Sequence, residues 1–204
     1  MFLTVLATIA SVTGNAEVHE VKGTQPSFDC AKAESSAEEL VCADDKLAAL
    51  DRRLAQRYAA ATEAAAGLDA GADEAVRNLR ATQRGWIKGR DDCWKADDLR
   101  DCVMFAYLIR ENQLVTQWIL QEPGAVARFY CNDNRANEIT AFFFDTELPS
   151  VRLEYGDTVD SGSLTRTASG SRYDASFGRS IWIKGGEATV IWPEGTEMAC
   201  RLAQ

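Results

Sequence analysis

The 204-residue sequence contains one histidine, His19, and four prolines. A single histidine excludes a His-rich metal site, and excludes a catalytic triad built on any other imidazole. No two cysteines stand in a Cys-x-x-Cys arrangement, which removes zinc-ribbon and thioredoxin-like chemistry. No Gly-x-Ser-x-Gly elbow is present either. Basic side chains are in the minority, 22 Lys and Arg against 31 Asp and Glu, for a formal charge of −9. That balance argues against nucleic acid or an anionic membrane surface as the main partner. No apolar run reaches the roughly 20 residues that a membrane-spanning helix needs.

Residues 1–14, MFLTVLATIASVTG, form the longest apolar stretch and carry no charge. With small residues at Gly14 and Ala16, they read as a signal peptide (1–16) cleaved after Ala16. Residues 17–26 then form a polar leader. No cysteine follows the apolar run, so no lipid anchor is expected. Six cysteines, an even count, agree with export. Both observations point to an oxidising, periplasmic or secreted setting. A hydrophobic share of 46% with 26% charged residues is that of a globular chain.

Composition divides the remainder in two. Residues 27–122 are rich in Ala, Leu, Glu, Gln and Arg, and no proline occurs between Pro26 and Pro123. Apolar residues at helical spacing predict helices over about 43–66, 73–92 and 98–120. Their stripes are Leu47, Leu50, Leu54, Tyr58 and Ala61; Val76, Leu79, Gln83, Trp86, Ile87 and Arg90; and Val103, Ala106, Tyr107, Arg110, Leu114 and Trp118. Short loops make these antiparallel neighbours around one thin core. After Pro123-Gly124 the periodicity changes to two. Residues 125–204 alternate in short runs such as Val151, Leu153, Tyr155 and Ala188, Val190, Trp192. Turn residues punctuate them at Leu148-Pro149, Gly156-Asp157, Ser161-Gly162, Gly185-Gly186 and Glu194-Gly195. This predicts a small antiparallel barrel or sandwich. The fold class is therefore α+β in two domains, a helical bundle and a β domain, each expected to fold independently.

Cys131 and Cys200 are the only cysteines of the β half, so they are paired, first strand to last. The helical half holds Cys30, Cys42, Cys93 and Cys102, for which three connectivities are open. Pairs Cys30–Cys42 and Cys93–Cys102 are favoured because each brackets a helix entry. Crossed pairing across the antiparallel helices remains open.

Gln83, Trp86 and Arg90 lie one turn apart on one helical face. They form either a binding strip or an internal network, with Arg90 on an acid such as Asp51 and Trp86 in the core. The network is the commoner fate of buried Arg and Gln.

Several segments resemble known families. Pro26 to Ala33, Glu39-Leu40-Val41-Cys42, Leu47 to Asp51 and Tyr58 are similar to the LprI-type lysozyme-inhibitor family. Leu79-Arg80, Gln83 to Ile87, Arg90-Asp91, Cys93, Cys102 and Tyr107 continue that pattern. In the β half, Ser169-Gly170-Ser171-Arg172-Tyr173 and Trp182-Ile183-Lys184-Gly185 resemble the two signatures of the MliC-type inhibitors of c-type lysozyme. The Tyr130-Cys131 start and the Cys200 end match as well. This second resemblance implies an eight-stranded barrel whose loops block a lysozyme cleft. It also implies a non-catalytic protein without cofactor or metal, a monomer or weak dimer, whose partner is a basic c-type lysozyme.

The implied contact residues are Ser169, Gly170, Tyr173, Lys184 and Gly185. A glycosidase cleft presents two carboxylates, which a serine hydroxyl and a lysine ammonium would satisfy. The interval from Ser169 to Lys184 is one residue longer than the family pattern. The extra residue falls within 174–180, where it could shift one of the pair relative to the other. Two other classes stand beside this one: a hydrolase using Ser169 and Lys184, for which no activating feature is present, and a peptidoglycan- or envelope-binding module acting mostly through the helical half.

Overall fold

The structure, a computed structural model, describes residues 25–192 and 196–203. The signal peptide at 1–16, His19, nearly all of the leader and the Glu194-Gly195 turn lie outside the described residues.

Helices start where the sequence supplies an acceptor for free backbone N–H groups. Helix α1 (Ser36–Ala43) opens with a capping box, in which Ser35 accepts from the Glu38 N–H and Glu38 accepts from the Ser35 N–H. Asp44 then accepts from the N–H groups of Lys46 and Leu47 to open α2 (Asp45–Ala66). Helix α3 (Ala72–Asp91) follows Gly71, and Asp98 caps α4 (Leu99–Trp118). The bundle therefore has four helices where three were expected. The additional one is α1, divided from α2 by the single residue Asp44. Cys30–Cys42 and Cys93–Cys102 are the disulfides of this half. The favoured pairing is thus the observed one, and the crossed alternative is excluded.

The bundle core gathers Val41, Leu47, Leu50, Leu54, Val103, Tyr107 and Leu114. At its centre lies Arg90, 4% exposed. Its guanidinium donates to Asp91 at 2.7 Å, to the Tyr107 hydroxyl at 3.0 Å and to Glu38 at 3.3 Å. Tyr107 passes the connection on by donating to Asp51 at 2.9 Å. Trp86 packs edge-on against Tyr107, and its indole N–H donates to the Ala106 carbonyl. The Gln83, Trp86 and Arg90 face is therefore an internal network, with Asp51 reached through Tyr107 rather than directly. Burial pushes the Tyr107 hydroxyl pKa up. For Arg90, burial works against the charge, but Tyr107 and Asp91 outweigh it and the pKa rises.

Eight antiparallel strands form the second half: β1 (Ala125–Cys131), β2 (Asn134–Phe144), β3 (Ser150–Tyr155), β4 (Thr158–Thr165), β5 (Ser171–Asp174), β6 (Ser180–Lys184), β7 (Glu187–Trp192) and β8 (Thr196–Leu202). Each pairs with the next, and β1 pairs with β8, so the sheet closes into a barrel. Closure leaves no edge strand for unwanted pairing. Cys131 faces Cys200 across the β1–β8 seam, and the disulfide between them staples it. Phe129, Ile139, Val151, Leu153, Ile181 and Val190 fill the interior.

The bundle is joined to the barrel through α4, which packs on β2, β3 and β4. Asn112, fully buried, donates to the Leu148 carbonyl at 2.9 Å and to Ser163 Oγ at 2.8 Å. Arg152 of β3 donates to the carbonyls of Thr116 and Gln117 in the last turn of α4. That places a cation at the negative end of the helix. Arg53 of α2 grips Glu111 of α4 through two hydrogen bonds and reaches Glu147 of the β2–β3 loop at 2.8 Å. The inward alternation of β2, Ile139 and Ala141, is broken at the strand's end for the same reason. Phe143 packs inward against Tyr173, yet Phe144 is also buried. The outer face there is covered by α4 instead of water.

Two expectations follow. Arg90→Ala leaves Asp91 and Glu38 without their shared cation and the Tyr107 hydroxyl without its donor, and should cost about 3–5 kcal/mol in urea unfolding. The second concerns pH. The Arg53 contact holds the Glu147 pKa below its ordinary value of 4.5, and the backbone N–H of Glu34 does the same for Glu38. A depressed carboxylate stabilises the fold above the unfolded pKa and loses that contribution as pH falls through the folded one. The unfolding midpoint should therefore drop as pH goes below about 4.5, and Glu147→Gln should make the drop shallower.

Candidate functional site

The sequence singles out two segments, and β5 and β6 bring them together. Their register runs Ser171↔Ile183, Arg172↔Trp182, Tyr173↔Ile181 and Asp174↔Ser180. One step before Ser171, Gly170 lies against the end of β6. A Cβ added there would sit 2.3 Å from the Ile183 carbonyl oxygen and 2.8 Å from Lys184 Cγ. Gly170 also has φ of +72°, in the left-handed region. Only glycine meets both demands, so the Ser169 loop can approach Lys184 this closely.

The longer interval between Ser169 and Lys184 does not displace the pair. The hairpin closes around residues 175–179, beyond the Asp174↔Ser180 pair and at the opposite end from Gly170. Extra chain in that turn leaves the pairing unchanged. The turn is irregular, with a φ of +55° at Phe177, which is 95% exposed. On its other side β6 runs into a two-residue hairpin, in which Lys184 pairs with Glu187 and Gly185 takes the positive φ, +61°.

Trp182 ties the two segments. Its indole N–H donates to the Ser169 carbonyl at 2.9 Å, and the Lys184 ammonium lies 3.5 Å from its ring centre. The loop side is held further by Thr167, whose hydroxyl donates to the carbonyls of Ser169 (3.2 Å) and Gly170 (3.1 Å). Ser169, Gly170, Lys184 and Gly185 are all exposed. Among the described residues, the Lys184 ammonium contacts no carboxylate; its cross-strand neighbour Glu187 is not within ion-pair distance. The indole face, rather than a carboxylate, is thus what the exposed ammonium rests on. Beside it lies a shallow cleft of about 260 Å³ bordered by Asp133, Trp182, Glu187 and Arg201.

Tyr173 departs from the expected contact set. It is 8% exposed, and its ring lies 5.6 Å from that of Phe143. Burial, with Asp145 adding to it, pushes its hydroxyl pKa up. Its side chain supports β5 from inside the barrel instead of facing outward. Trp182 and Thr167 are the residues that sequence reasoning undervalued. Thr167 carries a visible signal, a hydroxyl two and three residues ahead of the carbonyls it binds.

Two family models match the chain, in the expected order. Residues 30–128 match "Lysozyme inhibitor LprI", and residues 129–199 match "Membrane-bound lysozyme-inhibitor of c-type lysozyme", MliC. Among curated proteins, the "Lipoprotein LprI" of Mycobacterium bovis and that of Mycobacterium tuberculosis are each 29% identical over 179 residues. Each alignment covers 87% of this chain and 84% of the relative. No solved structure matches significantly.

The two glycines of the site should respond differently to alanine. Gly185→Ala meets open space and bears only the positive-φ strain, about 1–2 kcal/mol. Gly170→Ala bears the same strain and must also move the Ser169 loop off β6. Amide exchange at residues 167–170 should rise in the Gly170 variant and stay near wild type in the Gly185 variant.

Proposed function

We propose that this protein is a non-catalytic inhibitor of c-type lysozyme in the cell envelope, acting through the barrel unit at 125–204. The helical LprI-like unit at 27–122 packs against it. The observation that carries the reading is the joining of Ser169 and Lys184 across β5 and β6, with Trp182 holding both. The two family matches, each to a lysozyme-inhibitor description, support it.

Chemically, a glycoside hydrolase of the lysozyme type offers a protonated and an ionised carboxyl group in one cleft. The Ser169 hydroxyl can hydrogen-bond one, and the Lys184 ammonium can pair with the other. Gly170 and Gly185 keep the backbone narrow enough to enter. The loop is pre-set by Thr167 and Trp182, so little conformational freedom is lost on docking. Lysozymes of this type are basic and this chain carries −9, so encounter is electrostatically steered.

The direct test is lysis of a peptidoglycan suspension by a c-type lysozyme, with and without the protein. Lys184→Ala should weaken inhibition by about 2–5 kcal/mol, roughly 30- to 5,000-fold, because it leaves a buried carboxylate unpaired. Ser169→Ala removes one hydrogen bond to the protonated, uncharged acid and should cost less, about 0.5–1.5 kcal/mol. Neither should change the melting temperature, since both side chains are exposed. Association should slow as salt rises while dissociation changes less. Both variants inhibiting like wild type would end the reading.

A further inference from the structure

Two arginines of the bundle are almost fully buried, Arg90 and Arg110, at 4% and 6% exposure. Their surroundings differ. Arg90 has carboxylates on two sides. Arg110 has none: its guanidinium donates only to neutral oxygens, Gln83 Oε1 at 2.9 Å, Gln113 Oε1 at 3.1 Å and Thr82 Oγ1 at 3.2 Å. No carboxylate among the described residues lies within ion-pair distance of it. A buried charge without a counter-ion is costly, and proteins rarely keep one. Burial accordingly pushes the Arg110 pKa down.

Arg110 lines a cleft of about 700 Å³ between α3, α4 and β4. That volume suits a small ligand of one or two sugar rings. Two indoles, Trp86 and Trp118, border it together with the amides of Asn78, Gln113 and Gln117. Indole faces cover the apolar face of a pyranose, and side-chain amides meet hydroxyl and acetamido groups. One acid faces the same cleft, Asp160 of β4, already paired with Arg179 at 2.8 Å. It would repel a second carboxylate, so an anion belongs on the α3–α4 side, at Arg110.

We propose that this cleft binds a carboxylated amino sugar, its carboxylate on Arg110 and its ring between Trp86 and Trp118. The site is independent of the Ser169 and Lys184 pair, and its loss leaves lysozyme inhibition intact.

The test compares two sugars that share a ring and differ by a lactyl carboxylate, N-acetylmuramic acid and N-acetylglucosamine, with free lactate as a third probe. Titration of the full chain, followed by calorimetry and amide chemical shifts, should show the acidic sugar binding at least about ten-fold tighter than the other two. The shifts should map to residues 78–86 and 110–118. Arg110→Gln should erase the preference for the acidic sugar while inhibition of lysozyme stays at the wild-type level. Gln117→Ala, at an exposed position in the same cleft, supplies a second reading if the Arg110 variant does not fold. It should weaken the acidic sugar with the fold unchanged. Equal affinity for the two sugars, no binding by either, or lactate matching the acidic sugar would each overturn the proposal.

Discussion

Helix α4 is buried on two sides, and the remainder of the molecule is arranged around that constraint. One side carries Val103, Tyr107 and Leu114 into the bundle core. The other carries Asn112, Val115 and Thr116 out of water, where α4 meets the barrel. A helix covered this way has few positions at which a polar group can reach solvent, so each polar group needs a partner inside. Tyr107 finds Arg90 and Asp51, Glu111 finds Arg53, Asn112 finds Leu148 and Ser163, and the Thr116 hydroxyl turns back to the Asn112 carbonyl. These contacts fix the helix in rotation and depth. One of the four sets, that of Asn112, reaches across to the barrel, and with the Arg152 contacts to the end of α4 it sets how the barrel sits on the bundle.

The barrel half obeys a different logic. Its order comes from strand register, and the candidate pair depends on register alone. Ser169 and Lys184 are fifteen positions apart in sequence, yet hairpin pairing makes them neighbours whatever the length of the turn between. Charge then decides what the pair can do. Lys184 rests on the face of Trp182, a partner it can leave cheaply, while the loop opposite is held by backbone carbonyls and cannot drift.

Much of this was legible in the residues. The change of period after Pro123-Gly124 gave the two architectures. The single pair of cysteines in the β half gave the seam, and the signature segments gave the exposed pair. The separate helix α1 was hidden because Asp44 ends one helix and caps the next, and a stripe reading sees no gap there. The second face of α4 was hidden because a helix buried twice shows no single apolar stripe, and its barrel-facing side includes Asn112 and Thr116. Phe144 shows the same effect from the barrel side, buried although it lies on the outer face of β2. Tyr173 enters the contact set only through the family motif, while residue type alone favours packing, and the inward alternation of β5 agrees with packing. Periodicity reports one neighbour per element, and it fails where an element has two.

The staple across the barrel seam has a further meaning. Pairing carries a single row from Cys131 to Cys200, Ala188, Ile183 and Ser171, so the disulfide stands at one end of the line that places Gly170 against Lys184. The cysteines are buried, with Cys131 at 0% and Cys200 at 2% exposure. Reductants therefore reach the bond only through a barrel that has already opened. The row that positions the exposed pair is in this way backed by a covalent bond: a copy folding where thiols stay reduced would keep the strand pairing of the seam but lose the staple across it.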